Sequence, residues 1–216
     1  MIPDIYINDV SMLSLDLIRE SIDFPVPKAQ METVIVPGRN SPIRFNEALG
    51  SVTYEPRAFS ITLSMLGTRK LFDEKTLLMA NRYNGKLCKV KTSEEPNLYA
   101  LGTLQLDSSY DPFLSKGQII IECTDGDSYR YHEDITEIVK VGAGTVILEN
   151  DYMPVVPSVV TTEETTLDWK IGEDSFSRTL SAGTWEISEL ELFHGTNSIN
   201  VTGNGKTTFR YREGCL

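Results

Sequence analysis

The sequence predicts a mainly β protein with one helix, built in two parts. Three observations carry that expectation. Apolar and polar residues alternate along most of the chain, the period of strands with one buried face. One stretch, residues 68–84, changes to helical spacing. Between Asp125 and Glu133 the composition turns to Asp, Gly, Tyr, Arg and His, which divides the chain into parts 1–130 and 131–216. At 216 residues, 40% of them hydrophobic, the chain is long enough for two small β domains and too apolar for a disordered one.

In the first part, Ile5-Tyr6-Ile7 and Leu13-Ser14-Leu15-Asp16-Leu17 both alternate and read as short strands. Pro25 and Pro27 interrupt the pattern, as a loop or the start of an edge segment would. Residues 31–36 read as a further strand, ended by Pro37-Gly38, where a fixed φ followed by a positive φ makes a type II turn. From Val52 to Leu66 the alternation returns and places Phe59, Ile61, Leu63 and Met65 on one face. The helix follows. Leu71, Phe72, Leu78, Met79 and Tyr83 share a side, Thr68 is its N-cap and Asn84-Gly85 its left-handed stop. Strand signals resume over 87–90, 99–106 and 118–123.

The second part repeats strand and turn at the short spacing of a β-sandwich. Its expected strands are 135–139, 145–148, 157–161, 165–171, 176–180, 184–187, 198–202 and 207–212. Gly183, Gly195-Thr196-Asn197 and Gly203-Asn204-Gly205 mark turns, and Asn204-Gly205 signals a type I′ hairpin. The aromatics Trp169, Phe176, Trp185, Phe193, Phe209 and Tyr211 read first as core. Trp169 or Trp185 on an exposed face, as a platform for stacking sugars, is the alternative.

Acidic residues number 31 against 20 basic, a formal net charge of −11. That balance opposes sequence-independent binding to DNA or RNA, which needs clustered Lys and Arg. It is compatible with a surface past which nucleic acid slides. No apolar run reaches the roughly 20 residues of a membrane-spanning helix. Met1-Ile2-Pro3-Asp4-Ile5-Tyr6 has neither a basic nor an apolar region of a secretory signal, so synthesis in a cytoplasm is expected, and Asn200-Val201-Thr202 carries no glycosylation argument.

Three widely spaced cysteines argue against a disulfide framework. Cys88 and Cys123 read as buried thiols, and Cys215 as exposed and incidental. His132 and His194 sit beside turn residues and read as exposed loop histidines. Asp125-Gly126-Asp127 lacks the further ligands of a calcium loop and reads as a tight turn. Glu163-Glu164 and Glu189-Leu190-Glu191 read as solvated faces rather than a glycosidase pair. With no nucleophile, base or metal motif in a recognisable setting, the chain is expected to be no enzyme. No catalytic, cofactor-binding or metal-ligating residue is assigned, and no cofactor is implied.

A resemblance adds to this reading. Ile5-Tyr6-Ile7-Asn8-Asp9-Val10 gives a strand followed by an Asn/Asp turn. Val34-Ile35-Val36-Pro37-Gly38-Arg39-Asn40 gives a Val-Pro-Gly-Arg turn, with Val52-Thr53-Tyr54 after it. The single helix comes next, then Gly117-Gln118-Ile119-Ile120-Ile121-Glu122-Cys123 and Tyr129-Arg130-Tyr131. Ile147-Leu148-Glu149-Asn150 with Pro154 and Pro157 opens the second part, and Gly195-Thr196-Asn197-Ser198-Ile199-Asn200-Val201 lies near its close. Each motif is common; their order and spacing over nearly the whole chain resemble the distal tail protein (Dit) family of long-tailed phages that infect Gram-positive bacteria. Two departures stand out: the second part is short, and Ser128-Tyr129 replaces an expected Pro-Tyr pair.

The resemblance implies an N-terminal β-sandwich or barrel-like ring domain, followed by a small galectin-like or carbohydrate-module-like β-sandwich that projects outward. It implies a homo-hexameric ring in the virion tail that joins the tail tube protein to a tail-tip or tail-associated lysin protein. Receptor-binding proteins would sit on its rim and DNA would pass through without specific binding. The alternative reading is a carbohydrate-binding adhesion module using the C-terminal sandwich.

Overall fold

The computed structural model of the protein describes residues 2–30, 33–34, 37–38, 40–41, 43–44 and 52–216. The chain forms two compact units, Met1–Ser128 and Tyr129–Leu216. Both are built from antiparallel strands, and one α-helix lies among the described residues.

The first unit holds β1 (Ile5–Ile7), β2 (Val10–Ser11), β3 (Ile18–Asp23), β4 (Thr33–Val34), β5 (Ile43–Arg44) and β6 (Arg57–Leu66). α1 (Arg69–Tyr83), β7 (Lys86–Thr92), β8 (Leu98–Asp111) and β9 (Lys116–Gly126) complete it. Seven of these strands line up in the order β2-β1-β7-β8-β9-β6-β3, while β4 and β5 pair with each other among the described residues. The alternation of β6 is realised as expected. Phe59, Ile61, Leu63 and Met65 are all buried, facing the core beside Ile119, Ile121 and Cys123 of β9.

β8 changes partner along its length. Its first half pairs with β7 (Lys86↔Leu104 to Val90↔Ala100) and its second half with β9 (Gln105↔Glu122 to Asp111↔Lys116). Gly102, opposite Cys88 of β7, lies just before the partners change. A Cβ there would sit 2.3 Å from Cys123 Sγ, so only glycine admits the far end of β9 at this point.

α1 packs over β8, with smaller contacts to β7 and β9. Thr68 Oγ1 accepts from the Leu71 N–H at 3.3 Å, and Gly85 at φ +70° provides the left-handed exit. Phe72, Met79 and Tyr83 are buried, whereas Leu71 stays exposed. The buried stripe is therefore narrower than the sequence spacing suggests.

Several expectations change here. Leu13–Leu15 is a turn of 3-10 helix rather than a strand, and Asp16 is left-handed at φ +60°. The cause is the buried Asp4 carboxylate. It accepts from the N–H groups of Ile5 (2.8 Å) and Leu13 (3.1 Å) and from the Ser11 hydroxyl (2.5 Å), which curls the chain after β2. Asp125 and Gly126 belong to β9, not to a tight turn. The Asp125 carboxylate accepts from the Thr103 N–H at 2.9 Å, and Gly126 is packed so closely that a Cβ would lie 2.7 Å from the Arg57 carbonyl oxygen. Of the strand expected over 31–36, Thr33–Val34 is β4 and residues 31, 32, 35 and 36 lie outside the described residues. Gly38 has the expected positive φ of +85°.

The second unit contains β10 (Arg130–His132), β11 (Thr136–Val141), β12 (Gly144–Asn150), β13 (Ser158–Thr161) and β14 (Thr165–Ile171). β15 (Asp174–Leu180), β16 (Gly183–Glu186), β17 (Gly195–Thr202), β18 (Lys206–Tyr211) and β19 (Gly214–Cys215) follow. Two four-stranded sheets, β11-β18-β13-β16 and β12-β17-β14-β15, make the sandwich. Leu148, Val159, Leu167, Trp169, Ile199, Val201, Phe209 and Tyr211 fill it. β10 and β19 pair with each other (Arg130↔Cys215, Tyr131↔Gly214); neither was expected from the sequence.

Asn204-Gly205 does not close a type I′ hairpin. β17 and β18 lie in different sheets, so their connection crosses the sandwich instead of reversing within one sheet. Of the three residues only Gly203 has a positive φ, +156°. A Cβ on Gly205 would meet Thr162 Oγ1 at 2.8 Å, which shows its role as close packing. Gly195-Thr196-Asn197 likewise begins β17 rather than forming a turn.

Candidate assembly surface

The residues to which the sequence could attach chemistry are mostly apart. Glu163 and Glu164 are exposed, and Glu189 bonds Arg178 at 2.8 Å. His194 is exposed and stacks on Tyr152 with centroids 4.3 Å apart. His132 departs from expectation: it is half-buried on β10, with Nε2 3.0 Å from Asp151 Oδ2. Cys215 is also half-buried, on β19.

Cys88 and Cys123 are buried as expected, and desolvation raises both thiols, Cys123 to about 11. Trp169 is only 5% exposed, donates Nε1–H to the Glu189 carbonyl at 3.0 Å and stacks on Phe176. It is core. Trp185 is 39% exposed and donates to the Ser181 carbonyl at 3.0 Å.

The most distinctive exposed feature is the turn between β8 and β9. Phe113 is 96% exposed and Leu114 66%, and Leu66, at the same end of the sheet, is 76% exposed. The turn itself is well braced. Asp111 Oδ1 accepts from the N–H groups of Phe113 (2.8 Å) and Leu114 (3.3 Å), an Asx arrangement. Ser115 is left-handed at φ +48°, and its carbonyl accepts from Gly67 N–H at 2.9 Å. Tyr110 donates its hydroxyl to the Gly67 carbonyl at 2.8 Å, and its ring packs between Phe72 and the Arg69 guanidinium. Beneath, the Phe72 ring lies directly on Gly117, where a Cβ would stand 2.1 Å from Cδ2. An ordered backbone thus presents two apolar side chains to solvent.

The sheet edges are arranged differently. β3 is bulged between Arg19 and Ser21, and Glu20 in that bulge pairs with Lys116 and accepts from Gln118 Nε2 at 2.5 Å. Lys116 first and Gln118 second hold the Glu20 carboxyl below its usual range. β2 is two residues long, and Asp9 before it pairs with Lys89 (3.1 Å) and Lys91 (3.3 Å). Short, bulged and charged edges resist addition of another strand.

No family model matches the sequence, and no curated protein matches it. A solved structure does. The crystal structure of SPP1 Dit (gp 19.1), described as a paradigm of the hub adsorption apparatus in phages infecting Gram-positive bacteria, superposes with a TM-score of 0.70 and covers 100% of both chains. This chain has the Dit fold. Sequence identity is 10%, so the likeness is one of architecture and carries no side chain across. The mainly β architecture with one helix among the described residues, expected from the sequence, is consistent with this fold.

The signal for the tip was present in the sequence as Asp111-Pro112-Phe113-Leu114-Ser115, two apolar residues inside a turn composition. Turn composition by itself marks only the loop and does not distinguish its exposed apolar pair.

Proposed function

We propose that this protein is a structural hub of a phage or prophage tail tip, assembled as a homo-hexameric ring that joins the tail tube to the adsorption apparatus. The observation that carries the reading is the end-to-end coverage of this chain and SPP1 Dit by one fold. A hub needs surfaces for assembly and no catalytic constellation. The ordered apolar tip at Phe113 and Leu114 supplies such a surface, and burying it against a neighbour removes an apolar patch from water. In this reading the first unit forms the ring, and the tail tube, tail-tip lysin and receptor-binding proteins are its neighbours. The net charge of −11 lets DNA pass the ring without binding it. Negative-stain imaging of the purified full chain, alone and mixed with the adjacent tail-tube protein, tests this. Six-fold rings in either sample are expected; monomers in both overturn it.

A second reading, sugar binding by the second unit, is favoured by one observation. A shallow groove of about 630 Å³ carries polar side chains including Asp168, Lys170, Ser177, Ser198 and Asn200. Trp169 and Phe176 also line it, but Trp169 is only 5% exposed, so the groove would recognise a sugar mainly by hydrogen bonds. Calorimetric titration with cell-wall polysaccharide giving no heat retires this reading.

A further inference from the structure

The second unit brings together three side chains of metal-binding type. His132 on β10, Asp151 just after β12 and Cys215 on β19 each offer one donor atom, and these atoms all lie within 4.8 Å of one another. Around a tetrahedral Zn²⁺ with bonds of about 2.0–2.3 Å, neighbouring donors stand about 3.3–3.8 Å apart. Small side-chain rotations therefore bring the three to bonding distance. One nitrogen, one carboxylate oxygen and one thiolate form a mixed set that suits a borderline ion such as Zn²⁺, while Ca²⁺ and Mg²⁺ require oxygen.

The backbone beneath the three is fixed. His132 N–H donates to the Glu213 carbonyl at 2.9 Å, and the His132 carbonyl accepts from Arg212 at 2.6 Å. Asp151 N–H donates to Glu213 Oε2 at 3.1 Å, and the other carboxylate oxygen of Glu213 accepts from the Thr136 hydroxyl. Cys215 is held by its pairing with Arg130 across β10 and β19. Gly214, between Glu213 and Cys215, is closed in: a Cβ would lie 2.7 Å from the Arg130 carbonyl oxygen and 3.1 Å from Met153 Sδ. Backbone bonds of this kind fix the positions from which the three side chains project.

We propose that His132, Asp151 and Cys215 form a site for Zn²⁺, with the fourth position open to water or to a group from outside the chain. On binding, the Cys215 S–H bond breaks, its proton goes to solvent and the thiolate bonds the ion. The carboxylate and thiolate together balance the 2+ charge. The ion ties β10 and β19 to the segment following β12.

Co²⁺ and Zn²⁺ added separately to the untagged, reduced full chain test the site. One ion per chain is expected, with Co²⁺ giving a thiolate charge-transfer band that Zn²⁺ displaces. The band reports on Cys215 because Cys88 and Cys123 are buried thiols. Cys215→Ser should abolish the band and weaken Zn²⁺ binding at least tenfold, and Asp151→Asn and His132→Gln should each weaken it at least tenfold. Circular dichroism of each variant checks folding, and Asp151→Asn keeps the backbone bond to Glu213. A band that survives Cys215→Ser, Zn²⁺ affinity unchanged in the folded variants, or wild-type binding no tighter than millimolar overturns the site.

Discussion

Replacing Phe113 with Ser separates assembly from folding, because the side chain is 96% exposed in the isolated chain. Nothing in the fold rests on it, so unfolding free energy should change by less than about 0.5 kcal/mol. The hydrogen bonds that shape the turn run from the Phe113 and Leu114 backbone to Asp111 and survive the change. Assembly should respond very differently. A phenyl ring buries about 150–250 Å², and at about 25 cal/mol per Å² full burial contributes roughly 4–6 kcal/mol. Ordering costs and incomplete contact reduce this to about 2–3 kcal/mol per interface, which is roughly 30–150-fold in the constant for each contact. Sedimentation velocity across a concentration series reads the assembly, and thermal unfolding reads the monomer. If the chain assembles as proposed, the expected result is loss of that assembly at concentrations where the parent chain shows it, with an unchanged melting temperature. Rings of undiminished stability would remove the tip from the interface. A large fall in melting temperature would show that Phe113 packs on its own fold, against the exposure argument.

Three further changes probe the fold. Asp4→Ala leaves the Ile5 and Leu13 N–H groups and the Ser11 hydroxyl without their acceptor, and should cost about 2–4 kcal/mol in urea unfolding. Gly117→Ala drives a methyl into the Phe72 ring and should cost about 1–3 kcal/mol or more, with partial recovery in the double variant with Phe72→Leu. Alkaline titration should weaken the two units in successive windows. Burial raises Cys123 to about 11, and burial first, then Glu213 and Glu149, raises Tyr211 to about 12. In each case the folded state holds a proton that the unfolded chain releases earlier. The first unit should therefore lose stability from about pH 9 to 11 and the second from about pH 10 to 12, by up to about 3 kcal/mol each. Phenolate absorbance that rises at the ordinary tyrosine value for every tyrosine would contradict the buried setting of Tyr211.

Most of the sandwich was legible because its strands alternate and are bounded by glycine. β14, with Leu167 and Trp169 inward and Asp168 and Lys170 outward, is a case in point. What the sequence hid has a common cause: it depends on contacts between distant residues. Leu13-Ser14-Leu15 alternates like a strand, yet Asp4, nine residues before Leu13, curls it into a turn. Asn204-Gly205 has the composition of a hairpin, but the two flanking strands enter different sheets. β10 and β19 are three and two residues long, too short for any period to register. The proximity of His132 and Cys215 exists only through the pairing of those two strands, 83 positions apart in number, so no local motif announces it.

The same division explains how a fold can persist at 10% identity. Alternation fixes which face of a strand is buried without fixing which apolar residue fills it, so the core tolerates wholesale replacement. The positions with least freedom are those where backbones or rings touch: Gly102 against Cys123, Gly117 against Phe72 and Gly126 against Arg57. Surfaces obey neither constraint. With the edges β2 and β3 shortened, bulged and charged, that sheet is poorly suited to extension by another strand, which favours side chains at an end or a face for the proposed assembly contact. Two exposed apolar residues on a rigid turn meet that need, and they can change with the neighbour while the scaffold stays. A hub built on this fold should therefore keep the bracing under the tip, Tyr110 to Gly67 and Phe72 on Gly117, more strictly than the residues at positions 113 and 114. Tyr110→Phe should then loosen the turn and weaken assembly although it removes only a hydroxyl, whereas Phe113→Trp should assemble as the parent does.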